Sequence, residues 1–395
     1  MQRLSVRLNA ATARLVTEGH LWIHPRDLPM TSELELAEPG SLLELYDAKG
    51  KPLGLASFNP HSTIPVRILS RNPQERIDTT WFHHKLSEAL AKREAWFDVP
   101  YYRLVHSEGD GLPGLIIDRF GERVVVQAST AGMEQLQASW LEALQLLLSP
   151  RSIILRGDTP SRAREGLVQK TEAIGEPLEA PVEVWEHSTY FLADLMTGQK
   201  TGWFYDHREN RRRMADHCAG KTALDLYSHS GGFGLPAARA GATQVTLVDA
   251  SAKALTLANQ AAQRNSVASR CETIEEDVFT LLSRWVSQKR RFDVVMADPP
   301  AFIKERRHKA NGLKGYEKLA QLCVSVTQAQ GLFFIASCSH HADPASFKRA
   351  VETGIRKAGR EVKLIGKGEA DRDHPVHPKL PENRYLKALL YQLQD

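Results

Sequence analysis

Four aspartates in the second half of the chain each close a short apolar run: Asp225 in LDLYSHSGGFG, Asp249 in LVDAS, Asp277 in EEDVF and Asp298 in ADPP. The runs have strand character and alternate with helical stretches, which predicts a doubly wound parallel sheet. Carboxylates at the carboxyl ends of successive parallel strands line one crevice, the usual ligand site of such a sheet. The turn after the first strand holds Gly231, Gly232 and Gly234, which let the backbone approach a ligand at a helix N-terminus. It lacks the G-x-G-x-x-G spacing of a dinucleotide site. A carboxylate cluster repels the phosphates of ATP or NADP but suits a ligand with a positive charge and ribose hydroxyls, and S-adenosylmethionine has both. For Asp249 or Asp277 taken singly, the competing reading is a helix N-cap.

The elements that must hold these residues fall into three segments. Strand-like stretches from Gly40 to about Leu69, broken by Gly, Pro and Asn, form a small β module. At RNPQERIDTT the composition shifts, and the capping residues Asp78, Thr79 and Thr80 introduce a helix over WFHHKLSEALAKREAWF. The middle segment then reads β-β-α-β, its helix running from about Gly132 to Leu148 with Met133, Leu136, Trp140, Leu144 and Leu147 on one stripe. KTEAIGEPLEAPVEV reads as a surface connection into a hairpin around EVWEHSTYFLADL. The expected domains are 1–72, 73–185 and 186–395.

Composition excludes several classes. Over 395 residues, 42% hydrophobic and 25% charged describe an ordinary globular chain. No apolar stretch approaches the ~18 residues of a membrane span, and the start has no signal-peptide core, so a cytoplasmic protein is expected. Four cysteines without C-x-x-C spacing indicate neither a disulfide framework nor a zinc ribbon. His340, His341, His374 and His377 have no cysteine or carboxylate at ligand spacing, so no metal is expected. The net charge of +4 is too small to argue for nucleic acid, but RENRRR, KRR and KERRHK concentrate positive charge locally.

HSEGDGLPGLIIDRFGERVVVQ, RGDTPSRAREGL, GQKTGWFYDHRENRR, LDLYSHSGGFG, ADPPAF, KGYEKL and ASCS resemble the class I S-adenosylmethionine-dependent methyltransferases that modify cytosine C5 in bacterial large-subunit (23S) ribosomal RNA. The likeness spans nearly the whole chain. It implies an N-terminal β-rich PUA domain, foreshadowed by GHLWIHPRDL, then a central α+β domain and a Rossmann-like methyltransferase domain, assembled as a homodimer. It implies further that Phe204, Asp206, Arg208, Gly231, Asp249, Asp277 and Asp298 line the cofactor pocket. Asp225, Ser230, Gly232, Phe233, Ala250, Val278 and Pro299 belong to the same set, and S-adenosylhomocysteine would be the product. The chain departs from the family pattern at His207, usually Gln, at Ser228-His229-Ser230, often Cys-Tyr-Thr or Ser-Tyr-Thr, and at Ala301, commonly Lys.

Cytosine C5 has no lone pair, so its methylation calls for a thiolate that adds to C6 and makes C5 nucleophilic, and for a base that removes the C5 proton. Cys338 in FFIASCSHH is the cysteine expected near a strand end beside ADPP, with a small buried structural cysteine as the alternative. Only a few per cent of a free thiol is ionised at pH 7, so the site must activate it. Asp298 would hydrogen-bond the base at N3 or N4. Cys218, Cys271 and Cys323 read as structural, and Trp22 as core. KERRHKANGLKGYEK, with six Lys or Arg, reads as a loop that contacts the RNA backbone beside the target. Two other functions stay open: methylation of a purine amino group, which would dispense with Cys338, and a non-catalytic RNA-binding assembly factor.

Overall fold

A computed structural model describes residues 4–178 and 181–395, which divide into two compact units. The first holds the described residues before 179 with Asp194–Trp203 and Arg372–Pro381; the second holds Pro181–Ala193, Phe204–Asp371 and Glu382–Asp395. Among the described residues no helix is long and apolar enough to cross a membrane.

The first unit carries two five-stranded sheets. Strands Ser41–Tyr46, Pro52–Phe58 and Val66–Ser70 form the centre of the N-terminal one, with Leu4–Arg7 and Trp22–Ile23 at its edges. In the second sheet Tyr101–His106, Leu115–Phe120, Arg123–Ala128, Ser152–Arg156 and Thr171–Gly175 are neighbours in chain order. This corrects the sequence reading twice. Three strands, not two, precede the helix, and Thr171–Gly175, taken for surface connection, pairs antiparallel with Ser152–Arg156. Within the remainder of that connection, 179 and 180 lie outside the described residues. The predicted helix over 132–148 is two, Ala131–Gln135 and Gln137–Leu148, and Trp140 Nε1 donates to Met133 O at 2.8 Å across the break. Asp78 caps Thr79–Glu94 by accepting from Trp81 N, as its place before an apolar-periodic run requires.

The second unit is a seven-stranded sheet with helices between its strands. Its strands are β1 (Thr222–Leu226), β2 (Gln244–Asp249), β3 (Cys271–Glu275), β4 (Phe292–Ala297), β5 (Thr327–Ser337), β6 (Val362–Gly368) and β7 (Lys387–Leu393). Its helices are α1 (Arg208–Ala215), α2 (Gly234–Arg239), α3 (Ala252–Arg264), α4 (Val278–Ser287), α5 (Lys309–Ser325) and α6 (Pro344–Lys357). The strand order is β3-β2-β1-β4-β5-β7-β6. Six strands run in one direction, five of them paired parallel as β3-β2-β1-β4-β5, and β7 runs antiparallel between β5 and β6. Burial on both faces makes β1, β4 and β5 nearly continuous apolar runs. The hairpin Val182–Glu186 with Thr189–Ala193 belongs to this unit, and His187 and Ser188 take positive φ in its two-residue turn.

Candidate active site

The order β3-β2-β1-β4 sets the carboxyl ends of four adjacent parallel strands side by side; Asp225 lies one residue before the end of β1, Asp249 ends β2, and Asp277 and Asp298 follow β3 and β4. Asp225, on β1, is fully enclosed and accepts from Gly234 N at 2.7 Å. Burial pushes its carboxyl up to about 8, opposed by that N–H and helped by Asp298 and Asp249. It thus fastens the start of α2 to the strand beneath. Asp249 accepts from His229 N at 2.8 Å and from Ser251 N at 2.9 Å, so it ties the glycine turn to the next strand. Tyr227, His229 and Gly231 all have positive φ. Such alternation is costly for the two side-chain-bearing residues, and strain of this kind collects at functional sites. At Gly231 a Cβ would lie 2.7 Å from Leu235 Cγ, so only glycine closes the turn onto α2. In the same turn Ser230 is buried, Gly232 is half-buried, and Ser228 Oγ is buried with no hydrogen-bond partner.

Asp277 is the N-cap of α4, accepting from Thr280 N at 2.9 Å, and it is exposed. The capping role does not compete with a crevice role, since the helix begins at the carboxyl edge of the sheet. Val278 beside it is buried, and Ala250 beside Asp249 is exposed. Burial holds His229 below the usual imidazole range, while Asp249 and Asp298 pull it upward, so both carboxylates act on this ring.

The segment before α1 packs against the same edge. Phe204 meets His229 edge-on at 5.4 Å. Asp206 accepts from Tyr385 Oη at 2.6 Å, and the Arg208 guanidinium lies 3.4 Å from Asp371 and over the Tyr205 ring. Both Asp206 and Arg208 are buried, and these partners belong to the same unit. His207, noted from the sequence only as a departure from the family pattern, touches Asp298: Nε2 is 3.2 Å from Oδ1. Asn210 Nδ2 donates to Glu369 O at 3.1 Å and faces His207 Nδ1 at 3.2 Å. With Nδ1 accepting, Nε2 carries the proton toward Asp298. Phe233 packs in the interior against His207 and Phe334, and Pro299 is buried.

Cys338 directly follows β5 and is half-buried. Hydrogen bonds frame it on both sides. Ser337 Oγ donates to Tyr316 Oη at 2.8 Å, Tyr316 Oη and Ser339 Oγ are 2.8 Å apart, and Ile303 N donates to Ser339 Oγ at 3.2 Å. The last of these joins the loop after ADPP to the cysteine turn, on adjacent parallel strands in which Ala297 pairs with Ile335. Gly312 in α5 admits that loop, since a Cβ there would lie 2.3 Å from Ile303. Burial pushes Cys218 up to about 12 and Cys271 up to about 11, and raises Cys323 further.

Lys387, which the sequence reading passed over, donates to Ser339 O at 2.6 Å. The signal was a lysine opening the apolar run KALLYQL, where a charge is rarely buried without cause. KERRHKANGLKGYEK is not a loop throughout, since α5 begins at Lys309; Lys304, Arg306 and Arg307 ahead of it are exposed. Phe302 packs on Tyr316 at 4.8 Å and against Phe279. Trp22 packs against the core of the N-terminal sheet and donates to Glu108 at 3.0 Å. His374 lies 2.7 Å from Asp373 and packs on His106. Among the described residues no group of three or more His, Cys, Asp or Glu gathers to hold a metal.

Residues 6–71 match the PUA-like domain family, and residues 211–338 match the family described as Conserved hypothetical protein 95. Ribosomal RNA large subunit methyltransferase I of Klebsiella pneumoniae (strain 342) is 34% identical over 358 residues, covering 89% of each chain. The protein of the same name from Escherichia coli (strain K12) is 32% identical over 394 residues, covering 98% of each. A crystal structure of the methyltransferase SMU.776 complexed with SAH superposes with a TM-score of 0.83 at 20% identity, over 98% of this chain and 100% of that one. The fold is that of a Rossmann-like methyltransferase with a PUA-like N-terminal domain.

Proposed function

The chain belongs to the ribosomal RNA large subunit methyltransferase I family, and from that premise we propose that it forms 5-methylcytosine in 23S ribosomal RNA, with Cys338 as nucleophile. The observation that carries the reading is the hydrogen-bonded frame that fixes Cys338 beside the Asp298 loop. The carboxyl edge fits S-adenosylmethionine, because it offers carboxylates for ribose hydroxyls and a positive sulfur, and the unpartnered buried Ser228 hydroxyl stands in the glycine turn. Bound there, S-adenosylmethionine supplies an electrophilic methyl group.

The Cys338 thiolate pair forms the bond to C6 and opens the C5–C6 double bond, whose π electrons make C5 nucleophilic; C5 takes the methyl, leaving S-adenosylhomocysteine. Loss of the C5 proton restores the C5–C6 double bond and expels the thiolate, which returns the enzyme unchanged. Asp298, held by His207, orients the base by accepting from its N4 amino group. Asp249 accepts from a ribose hydroxyl, and Phe204 flanks the same turn. The exposed cations Lys304, Arg306 and Arg307 suit phosphates flanking the target. An unpaired target base costs least to bring into the pocket. A cytoplasmic homodimer is part of the same proposal, and light scattering of the purified protein tests the dimer.

Purine methylation is disfavoured because enzymes that methylate adenine amino groups place an aromatic directly after D-P-P to stack on the flipped base, whereas here Ala301 intervenes and Phe302 packs on Tyr316 and against Phe279. The decisive experiment is nucleoside mass spectrometry of unmodified 23S RNA incubated with S-adenosylmethionine. The wild type is expected to yield 5-methylcytidine and Cys338→Ala none, a loss of at least about 10⁴-fold. A methylated purine made equally by both proteins would overturn the cysteine mechanism.

A further inference from the structure

A thiol that must be ionised near neutral pH is helped by a neighbouring positive charge, and the second unit contains a buried ammonium that forms no ion pair with a carboxylate among the described residues. Lys387 opens β7 and is 9% exposed. The antiparallel register sets it opposite Ser337, the residue before Cys338. Its Nζ donates to Ser339 O at 2.6 Å and to Tyr385 O at 2.9 Å, so the ammonium is fastened to the residue that follows Cys338. Both acceptors are neutral carbonyls, and among the described residues no carboxylate forms an ion pair with it. An ammonium has three donors, and the third remains after these two bonds.

The groups around it narrow the choice of counter-charge. Asp343 acts on Lys387, but it caps α6 and is ion-paired to Lys309 at 2.8 Å. Tyr316 is bonded to Ser337 and Ser339 and is raised by burial, so it stays neutral. His340 packs on the Tyr385 ring. Cys338 remains, and it acts on Lys387 more strongly than Asp343 does. Burial draws the lysine down to about 8, which still leaves it mostly protonated at pH 7.

We propose that Lys387 activates Cys338, its buried ammonium stabilising the thiolate that the methyl-transfer chemistry requires. This rests on the reading of Cys338 as nucleophile. A buried cation that lacks a counter-ion disfavours its own charge, and ionisation of the adjacent thiol relieves both groups together. The thiol proton passes to solvent, and the ion pair persists until the sulfur adds to C6.

The test follows iodoacetamide alkylation of Cys338 by peptide mass spectrometry from pH 6 to 9.5 in the wild type, Lys387→Gln and Lys387→Arg. Gln keeps donors for both carbonyls and removes the charge. The expected result is a midpoint about one pH unit higher in Lys387→Gln, with alkylation at pH 7 and kcat both about tenfold lower. Lys387→Arg should restore the wild-type profile. An unmoved profile in folded Lys387→Gln overturns the proposal. Should Lys387→Gln fail to fold, Lys387→Met is read by the same criterion, and an Arg variant as slow as an uncharged one overturns the proposal as well. Because alkylation needs no RNA, it separates the two readings: a shifted profile with 5-methylcytidine still formed by Cys338→Ala upholds the ion pair and removes the nucleophile, while an unmoved profile with an inactive Cys338→Ala does the reverse.

Discussion

The first unit and the methyltransferase sheet of the second both bury carboxylates, and they surround them with different chemistry. In the first, Asp118 is gripped by Arg103 through two bonds of 2.8 and 2.9 Å and accepts from Thr201 as well. Asp110 is held the same way by Arg93 at 2.6 and 2.7 Å. Glu165 receives Asn59, Ser62 and Arg67. In the second unit, Asp249 is held by backbone N–H groups, Asp298 by a histidine, and the ammonium of Lys387 by carbonyls, while burial favours the neutral form of Asp225. The carboxylates of the first unit are met by guanidinium groups where they stand, whereas on the proposed reading the charges at the carboxyl edge keep their field for a ligand, a base or a thiol.

The contrast can be broken at its strongest point. Arg103→Met leaves Asp118 buried without its cation, and it should cost about 3–5 kcal/mol of stability in denaturant titrations of the whole chain. A loss below ~1 kcal/mol would show that the paired charges are not what distinguishes the first unit.

Asp298→Asn is the converse case. It keeps an acceptor for His207 and removes only charge, so the folding midpoint should change by less than ~1 kcal/mol. Methyl transfer should fall about 10²–10³-fold. Intact activity would reduce Asp298 to a loop residue and erase the distinction between the two sheets.

A smaller effect concerns Asp225. Its folded pKa of about 8 lies above its unfolded value, so the stability it contributes is complete below pH ~4 and is lost as pH rises toward 8. Asp225→Asn keeps an oxygen for Gly234 N and should flatten that decline. Thermal melts at pH 6 and 9 should show a gain over the wild type that is larger at pH 9, on the order of 1 kcal/mol or about 2–4 °C. Parallel pH profiles for the two proteins would contradict it.

The alternation of apolar runs and helices predicted the parallel sheet, because that signal is local and periodic, and the aspartates were legible as residues at the carboxyl ends of its strands. Asp277 fulfils the N-cap reading, which sequence alone could not separate from the crevice reading, since a helix start and a strand's ligand edge coincide. Thr171–Gly175 was missed because its Gly, Pro and acidic surroundings look like a turn, while its pairing with Ser152–Arg156 is a long-range hydrogen-bonding fact. The break at Leu136 was invisible because the apolar stripe continues through it: Met133, Leu136, Trp140 and Leu144 are all buried.

The sequence by itself determined the chemical inventory: the aspartates, the glycine turn, the ADPP segment and Cys338, each carried by a contiguous motif. Tertiary structure decided which of them act on one another. That His207 meets Asp298 follows from how the segment before α1 packs on the sheet, and that Lys387 stands opposite Ser337 follows from β7 entering antiparallel between β5 and β6. Neither is written in any local pattern. Strand neighbours and register are fixed by the burial of whole faces and by pairing across the chain, and a shift of one residue would turn the lysine to the other side.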